Sequence, residues 1–450
     1  MKNKFIYILI SIVLMVGSAC KKYLDLKPDK TLVIPETTND LQGLLDGPLM
    51  YSNSPVSGQA ASDNYYINDA NFNSLNITYR NLYIWGEPGT FENDWSGNYR
   101  NIQNINLILE YIDKVTANTQ NEREFIKGQA YFMRAFNLLN LSQIFTLPYS
   151  EMDADKTLGL PIKLSSDINS PTVRANLRET FSQIINDFKK SAQLLPIESM
   201  PLTRANRKAA FAALARTNLI MGNYQDSRDY ADSCLLFDDS LIDFNTLDSN
   251  FLKPIMIYNK EVYLQNESAA CNNFSKSYSK VDTILYQSYA PNDLRRGVFY
   301  KKNTDKSYYF KGGYDGNISS ATFFSGFAID EMYLIKAECE ARLNNTATAI
   351  DILNKLLKNR YSKKSFIPFT ATDSEGALRL IIAERTKELA FRNGLRWIDL
   401  RRLNSDPRFS QTITRVISGQ TFTLAPNDLR YAFLIPTSVI QLSGIEQNAR

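Results

Sequence analysis

Ala383-Glu384-Arg385-Thr386-Lys387-Glu388-Leu389-Ala390-Phe391, followed by Gly394-Leu395-Arg396-Trp397-Ile398-Asp399-Leu400-Arg401-Arg402, is the densest patterned stretch of this 450-residue chain. Glu384 and Glu388 stand four residues apart, so one helix face presents both carboxylates, with Arg385 one step round. Gly394 ends that helix. Arg396, Arg401 and Arg402 come just after the turn, where planar guanidinium forks can tie it back onto the two carboxylates. Two carboxylates on one face also satisfy the minimum for a glycosidase acid and nucleophile. With 47 acidic residues in the chain, however, a close pair is expected by chance. The structural reading is therefore preferred, and the catalytic one stays open.

Working back from this segment, helical periodicity dominates. Ile102, Ile105, Leu109 and Ile112 share a face between Asp94 and Val115, and Phe125, Phe132, Phe136 and Leu139 form a stripe over Glu122–Phe145. These two read as a helical hairpin. A helix over Arg178–Leu195 stops at Pro196. Arg204–Met221 is rich in alanine (Ala205, Ala209, Ala210, Ala212, Ala213, Ala215), Gly222-Asn223-Tyr224 makes a turn, and Gln225–Leu236 returns. The order resembles a tetratricopeptide helix pair, and Ala328–Leu343 with Ala347–Asn359 reads as a second one. The last helix is expected over Ser374–Asn393, and Leu429–Leu442 as an extended close. Residues 237–326 are the largest non-helical region, with strands expected at Glu261–Gln265 and Ser307–Lys311. A long irregular insertion in a helical domain is usually functional.

The N-terminus has a different character. Lys2 and Lys4 precede an apolar run from Phe5 to Leu14, then Gly17-Ser18-Ala19 and Cys20. That is the order of a secretory signal whose cleavage exposes a cysteine for lipid attachment. The run falls short of the roughly 20 residues that span a bilayer. Residues 1–19 are thus read as a lipoprotein signal peptide, Cys20 as the lipidation site, 20–30 as a tether and 31–450 as a single domain. An ordinary signal with a chance cysteine is the alternative. Lys21 and Lys22, rather than acids, follow Cys20, which leaves a periplasm-facing anchor open.

Composition narrows the function. Histidine is absent, which excludes Ser-His-Asp and Cys-His catalysis and His-bearing zinc sites. The four cysteines show no metal spacing and no disulfide framework, so no metal or cofactor is expected. The formal charge of +4 becomes +2 once Lys2 and Lys4 leave with the signal, and implies no nucleic-acid partner. Aromatics at 12%, with abundant asparagine, suit a sugar-binding surface as well as an ordinary core. By the pattern of aromatics beside amides or charges in loops, the candidate ligand residues are Asp63, Asn64, Tyr65, Tyr66, Trp85, Tyr278, Tyr314 and Asn317. Tyr314-Asp315-Gly316-Asn317 lacks the surroundings of a calcium loop.

The segment quoted first resembles the ERxxELxFE…RWxDLRR pattern of the SusD/RagB family, with Arg392 at a position where that family often has Glu. Cys20-Lys21-Lys22-Tyr23-Leu24-Asp25, Trp95 to Leu109, Gly159-Leu160-Pro161-Ile162, Ala209–Leu219, Asp293-Leu294-Arg295-Arg296 and Tyr431–Leu442 resemble further family segments in the same order. The resemblance implies a mainly α SusD-like fold. In it, four tetratricopeptide-like helix pairs (94–236 and 327–393) support an irregular, loop-rich ligand face with minor β structure (about 237–326). It also implies a non-enzymatic lipoprotein of the outer membrane, facing outward. Such a protein captures oligosaccharides or other oligomeric nutrients for a SusC-like TonB-dependent transporter. A surface glycoside hydrolase and a scaffold that binds only a protein partner are the competing readings.

Overall fold

The computed structural model describes residues 35–87, 89–316 and 321–450. The signal, Cys20, the tether and Asn317 lie outside the described residues. The mainly α architecture is present. Its long helices are α1 (Thr38–Leu45), α2 (Glu92–Tyr111), α3 (Gln120–Phe145), α4 (Leu177–Leu194), α5 (Arg207–Met221), α6 (Tyr224–Phe237), α7 (Ile329–Arg342), α8 (Thr346–Leu357), α9 (Ser374–Glu388) and α10 (Leu395–Leu403). Each packs on a chain neighbour: α2 on α3, α5 on α6, α7 on α8. Helix α4 bridges α3 to α5, α6 lies against α7, and α9 covers α7.

Local chemistry sets the ends. Thr119 caps α3 by accepting from the Glu122 amide, and Asn176 and Glu179 form a capping box on α4. Gly222 turns α5 into α6 in the left-handed region at φ 80°, where a Cβ would be strained. Helix α3 is buried on nearly every side from Ile126 onward, with Phe132 edge-on to Phe188 of α4 and both Phe132 and Phe136 edge-on to Phe327. Burying one such ring contributes about 1.5–3 kcal/mol. The alanines of α5 let its neighbours come close: Ala209, Ala210, Ala212, Ala213 and Ala215 have no exposed surface.

Ten short strands supply the β structure among the described residues, as antiparallel pairs. They are β1 (Tyr65–Ile67) with β5 (Ser279–Val281), β2 (Leu158–Pro161) with β3 (Arg174–Asn176), β4 (Val262–Leu264) with β8 (Phe327–Ala328), β6 (Tyr300–Lys302) with β7 (Tyr308–Phe310), and β9 (Ile413–Ile417) with β10 (Gln420–Leu424). The last pair was not expected. Its Ser418-Gly419 turn has both residues at positive φ, as a two-residue hairpin needs.

Two expectations are corrected. The helix expected to Asn393 ends at Glu388, because Phe391 adopts φ 58° and breaks the repeat. The expected extended close is a 3-10 turn, Leu429–Tyr431, and a helix, Thr437–Ser443, started by Pro436.

Glu384 and Glu388 are structural in their contacts, but not through the expected arginines. Arg295 donates to both, at 2.5 and 3.0 Å, and bonds Asp293 as well. Arg360 bridges Glu388 at 2.6 Å and Glu261 at 2.9 Å. Arg402 instead takes Glu338 and Asp399, Arg401 takes the carbonyls of Tyr431 and Ser142, and Arg396 reaches Asp63. Side-chain reach across the fold, not sequence proximity, chose these partners. The Asp293-Leu294-Arg295-Arg296 segment thus delivers the buried cation that the ERTKEL helix requires.

Candidate functional site

Three segments far apart in sequence meet at one open cleft of about 810 Å³. Asp63 and Asn64 come from the turn before β1, Asp282, Ile284 and Ser288 from the insertion, and Arg396 and residues Phe409–Thr414 from the C-terminal part. A cleft of this size accommodates a small ligand. Its wall combines one aromatic ring, several aliphatic side chains, amides, hydroxyls and charged groups of both signs, a composition that can meet the apolar faces and hydroxyls of a sugar.

Asp63 is the anchor. Arg396 donates to its carboxylate from Nε at 2.6 Å and Nη2 at 2.7 Å, and Gln411 Nε2 donates at 2.9 Å. Burial alone would raise the pKa of this carboxyl, but the charge and hydrogen bonds of Arg396 outweigh it and hold Asp63 below the usual range. Asn64 is nearly fully buried, and its carbonyl accepts from the Asp282 amide at 2.9 Å, which stitches the turn to the insertion. Partly exposed Phe409 lines the same cleft, with the guanidiniums of Arg379 and Arg408 at 5.6 and 5.4 Å from its ring centroid.

The remaining expected residues fall in different places. Tyr65 and Trp85 are 3% exposed and present no ring to the cleft. Their rings, with Tyr83, surround the Arg415 guanidinium at 5.4, 5.0 and 3.6 Å. Arg415 in turn donates to the carbonyls of Ala61 and Ser62 at 3.1 and 2.7 Å. Tyr65 Oη and Trp85 Nε1 donate to the carbonyls of Ala60 and Ala61. The aromatic cage therefore fixes the backbone that carries Asp63 and Asn64. Tyr314 is fully buried, donates to Glu261 at 2.5 Å and lies under the Arg392 guanidinium. Burial first, then Asp330 and Glu261, push its hydroxyl well above the ordinary tyrosine range.

Tyr66 and Tyr278 are partly exposed and do not line the cleft; Tyr66 lies on β1, which pairs with β5, and Tyr278 in the turn before β5. Elsewhere in the insertion Tyr286 stacks on Tyr308, centroids 3.7 Å apart. Sequence reasoning missed Phe409 and Gln411. The run Arg408-Phe409-Ser410-Gln411 carries the same signal, an aromatic beside a charge and an amide in a loop, that picked out residues 61–66.

Among the described residues, no group of three or more Cys, Asp or Glu is placed to hold a metal ion, and no helix is long and apolar enough to cross a membrane. The buried carboxylates Glu384 and Glu388 line no opening to solvent, being 2% and 1% exposed.

Comparison with known proteins places this architecture. Residues 22–219 match a SusD-like family model described as starch-binding associating with outer membrane, and residues 227–421 match the SusD family model. Similar solved structures include a SusD-like carbohydrate binding protein from Bacteroides vulgatus (22% identity, 91% of this chain and 97% of that one, TM-score 0.71). A SusD superfamily protein from Bacteroides thetaiotaomicron shares 20% identity over 92% of this chain and all of that one, TM-score 0.75. Another, from Bacteroides fragilis, shares 17% identity over 92% and 99%, TM-score 0.71. At these identities the likeness is one of fold. No curated protein matches the chain. Two consecutive family models and the shared fold agree: the chain belongs to the SusD/RagB family.

Proposed function

We propose that this protein is a cell-surface lipoprotein, held in the outer membrane by an acyl anchor at Cys20. On this reading it binds oligosaccharides in the cleft and passes them to a SusC-like TonB-dependent transporter. The observation that carries the reading is that Phe409 lines the same open cleft of about 810 Å³ as the bonded set Asp63, Arg396 and Gln411. A ring can stack on the C–H face of a sugar while oriented amide and carboxylate groups take its hydroxyls. The match to a family described as starch-binding and outer-membrane-associated supports the same reading.

A hydrolase using Glu384 and Glu388 would need one of them held protonated as general acid. Glu388 has the opposite environment. Although burial works to raise its value, Arg360 and Arg295 hold it below the ordinary carboxylate range. The pair is also sealed from ligand. The proposed role is therefore capture without turnover.

The test is a glycan array with the mature chain lacking Cys20, followed by calorimetry on the hits. Saturable binding that is lost in Phe409→Ala and Asp63→Ala supports the proposal. Released reducing ends at substoichiometric protein would overturn it in favour of catalysis. Isolation of the lipidated protein without any β-barrel partner would overturn the hand-off.

A further inference from the structure

A second cluster of polar chemistry lies outside the cleft, on the β6–β7 hairpin of the insertion. Lys301 on β6 is registered directly opposite Tyr309 on β7, so their side chains share one face of the hairpin. Lys311 follows Tyr309 by two residues, and its amide donates to the Phe299 carbonyl at 2.7 Å, continuing the ladder on that face. From the neighbouring turn, the Lys276 ammonium lies over the Tyr309 ring, 4.7 Å from its centroid. Lys311 is pinned to the carbonyls of Ser249 and Phe251, which brings the loop bearing Lys253 alongside. Phe251, on that loop, is 64% exposed.

Lys276 thus sits on the half-exposed Tyr309 ring with Lys301 across the hairpin and Lys253 near enough to act on it, while Lys311 is 3% exposed and its ammonium is spent on the Ser249 and Phe251 carbonyls. Their acidic company is sparse. Lys253 lies 3.4 Å from Asp315. Among the described residues no carboxylate comes within 4 Å of Lys276, Lys301 or Lys311, while Asp305 pairs with Lys280 instead. The electrostatics agree with the geometry. Burial, then Lys253 and Lys301, lower the affinity of Lys276 for its proton. Burial and Lys301 do the same for Lys311, against the opposing pull of Asp248. Unneutralised like charges held together by the fold raise the energy of the empty site, and an anion placed among them relieves it.

We propose that Tyr309 with Lys276 and Lys301, backed by Lys253, forms an anion-reading subsite, which makes glycans bearing carboxylate or sulfate groups the preferred ligands. The inference rests on the glycan-binding reading above and adds the substrate class. The ring supplies a stacking surface for the pyranose, and the ammonium groups supply the charge recognition that a neutral sugar cannot use. Without Lys2 and Lys4 the formal charge of +4 falls to +2, too little for general affinity for polyanions, so the charge recognition is local to this cluster.

The experiment compares a hexagalacturonate, a heparin-derived hexasaccharide and a neutral maltohexaose by calorimetry on residues 21–450, at low and high salt. The variant is Lys276→Gln with Lys301→Gln, and its melting temperature reports that it folds. The expected result is an affinity for at least one acidic oligosaccharide about tenfold above the neutral one. That margin should shrink with salt and disappear in the variant, with neutral binding unchanged. Equal affinity for acidic and neutral sugars in both proteins overturns the subsite while leaving glycan capture intact. Binding to vesicles of anionic phospholipid without binding to either acidic sugar also overturns it, and assigns the charge to a membrane. Failure to bind any of the three sugars counts against both readings.

Discussion

Arg396 grips Asp63 with two arms of its guanidinium, at 2.6 and 2.7 Å, across 333 positions of sequence. The pair joins the turn that leads into β1 to the start of α10, and both residues line the cleft. Arg396 is nearly buried, at 12% side-chain exposure, while Asp63 retains 26%. The charge that orients the site is therefore only partly screened by water.

Removing Asp63 should affect both binding and folding. Asp63→Ala leaves a half-desolvated guanidinium without its partner, at a cost of about 1–3 kcal/mol. Because the folded carboxyl is held low, its contribution is present above the ordinary carboxylate range and lost as pH falls through the lower folded value. The stability difference between wild type and Asp63→Asn, by denaturant titration, should be flat from about pH 5 to 8 and vanish only below about pH 4.

Phe409→Ala tests the ring without disturbing the ion pair. Loss of one stacking surface should weaken oligosaccharide binding about tenfold, equivalent to roughly 1.4 kcal/mol. Since Phe409 is only half-buried, the melting temperature should change little. Unchanged affinity by calorimetry would remove the ring from the site.

The buried ion network makes the opposite prediction. Arg360 has no exposed side-chain surface and serves Glu388 and Glu261 together. Arg360→Met leaves two buried carboxylates uncompensated and should destabilise the fold by about 3–5 kcal/mol. Calorimetric melting should show the loss.

Asp94 should titrate in the reverse sense from Asp63. It is fully buried and accepts from the amides of Val56 and Ser57 at 3.0 and 2.9 Å. Burial pushes its carboxyl up to about 6, despite the bonds from Ser57 and Val56 that work to lower it. The folded state therefore binds a proton that the unfolded state does not. This group's contribution to stability rises by about 1 kcal/mol as pH falls from 7 to 5. In Asp94→Asn that part of the pH dependence should disappear from denaturant titrations.

Cys20→Ser tests the anchor. Without an acyl chain, whose buried methylenes contribute about 0.8 kcal/mol each, the protein should move from the membrane pellet to the soluble fraction. Pelleting of the variant with lipid in the absence of any transporter would contradict the anchor at Cys20.

The helices, most of their ends and the turns between paired helices were legible in the sequence, because they obey rules that act within a few residues. Ile102, Ile105 and Ile112 recur at the spacing of one helix face and are all buried. Gly222 marks the turn that only a residue free of a Cβ adopts without strain. Order along the chain was enough to identify the family, since its motifs are scaffold. What the sequence left open was which partner each charged or aromatic side chain would find. Glu384 and Glu388 took Arg295 and Arg360 rather than the adjacent arginines. Tyr65 and Trp85 turned inward to hold Arg415, while Asp63 beside them opened onto the cleft. Those choices are made by contacts between segments hundreds of residues apart, where long side chains reach whatever the packed helices bring near, and no local periodicity encodes them.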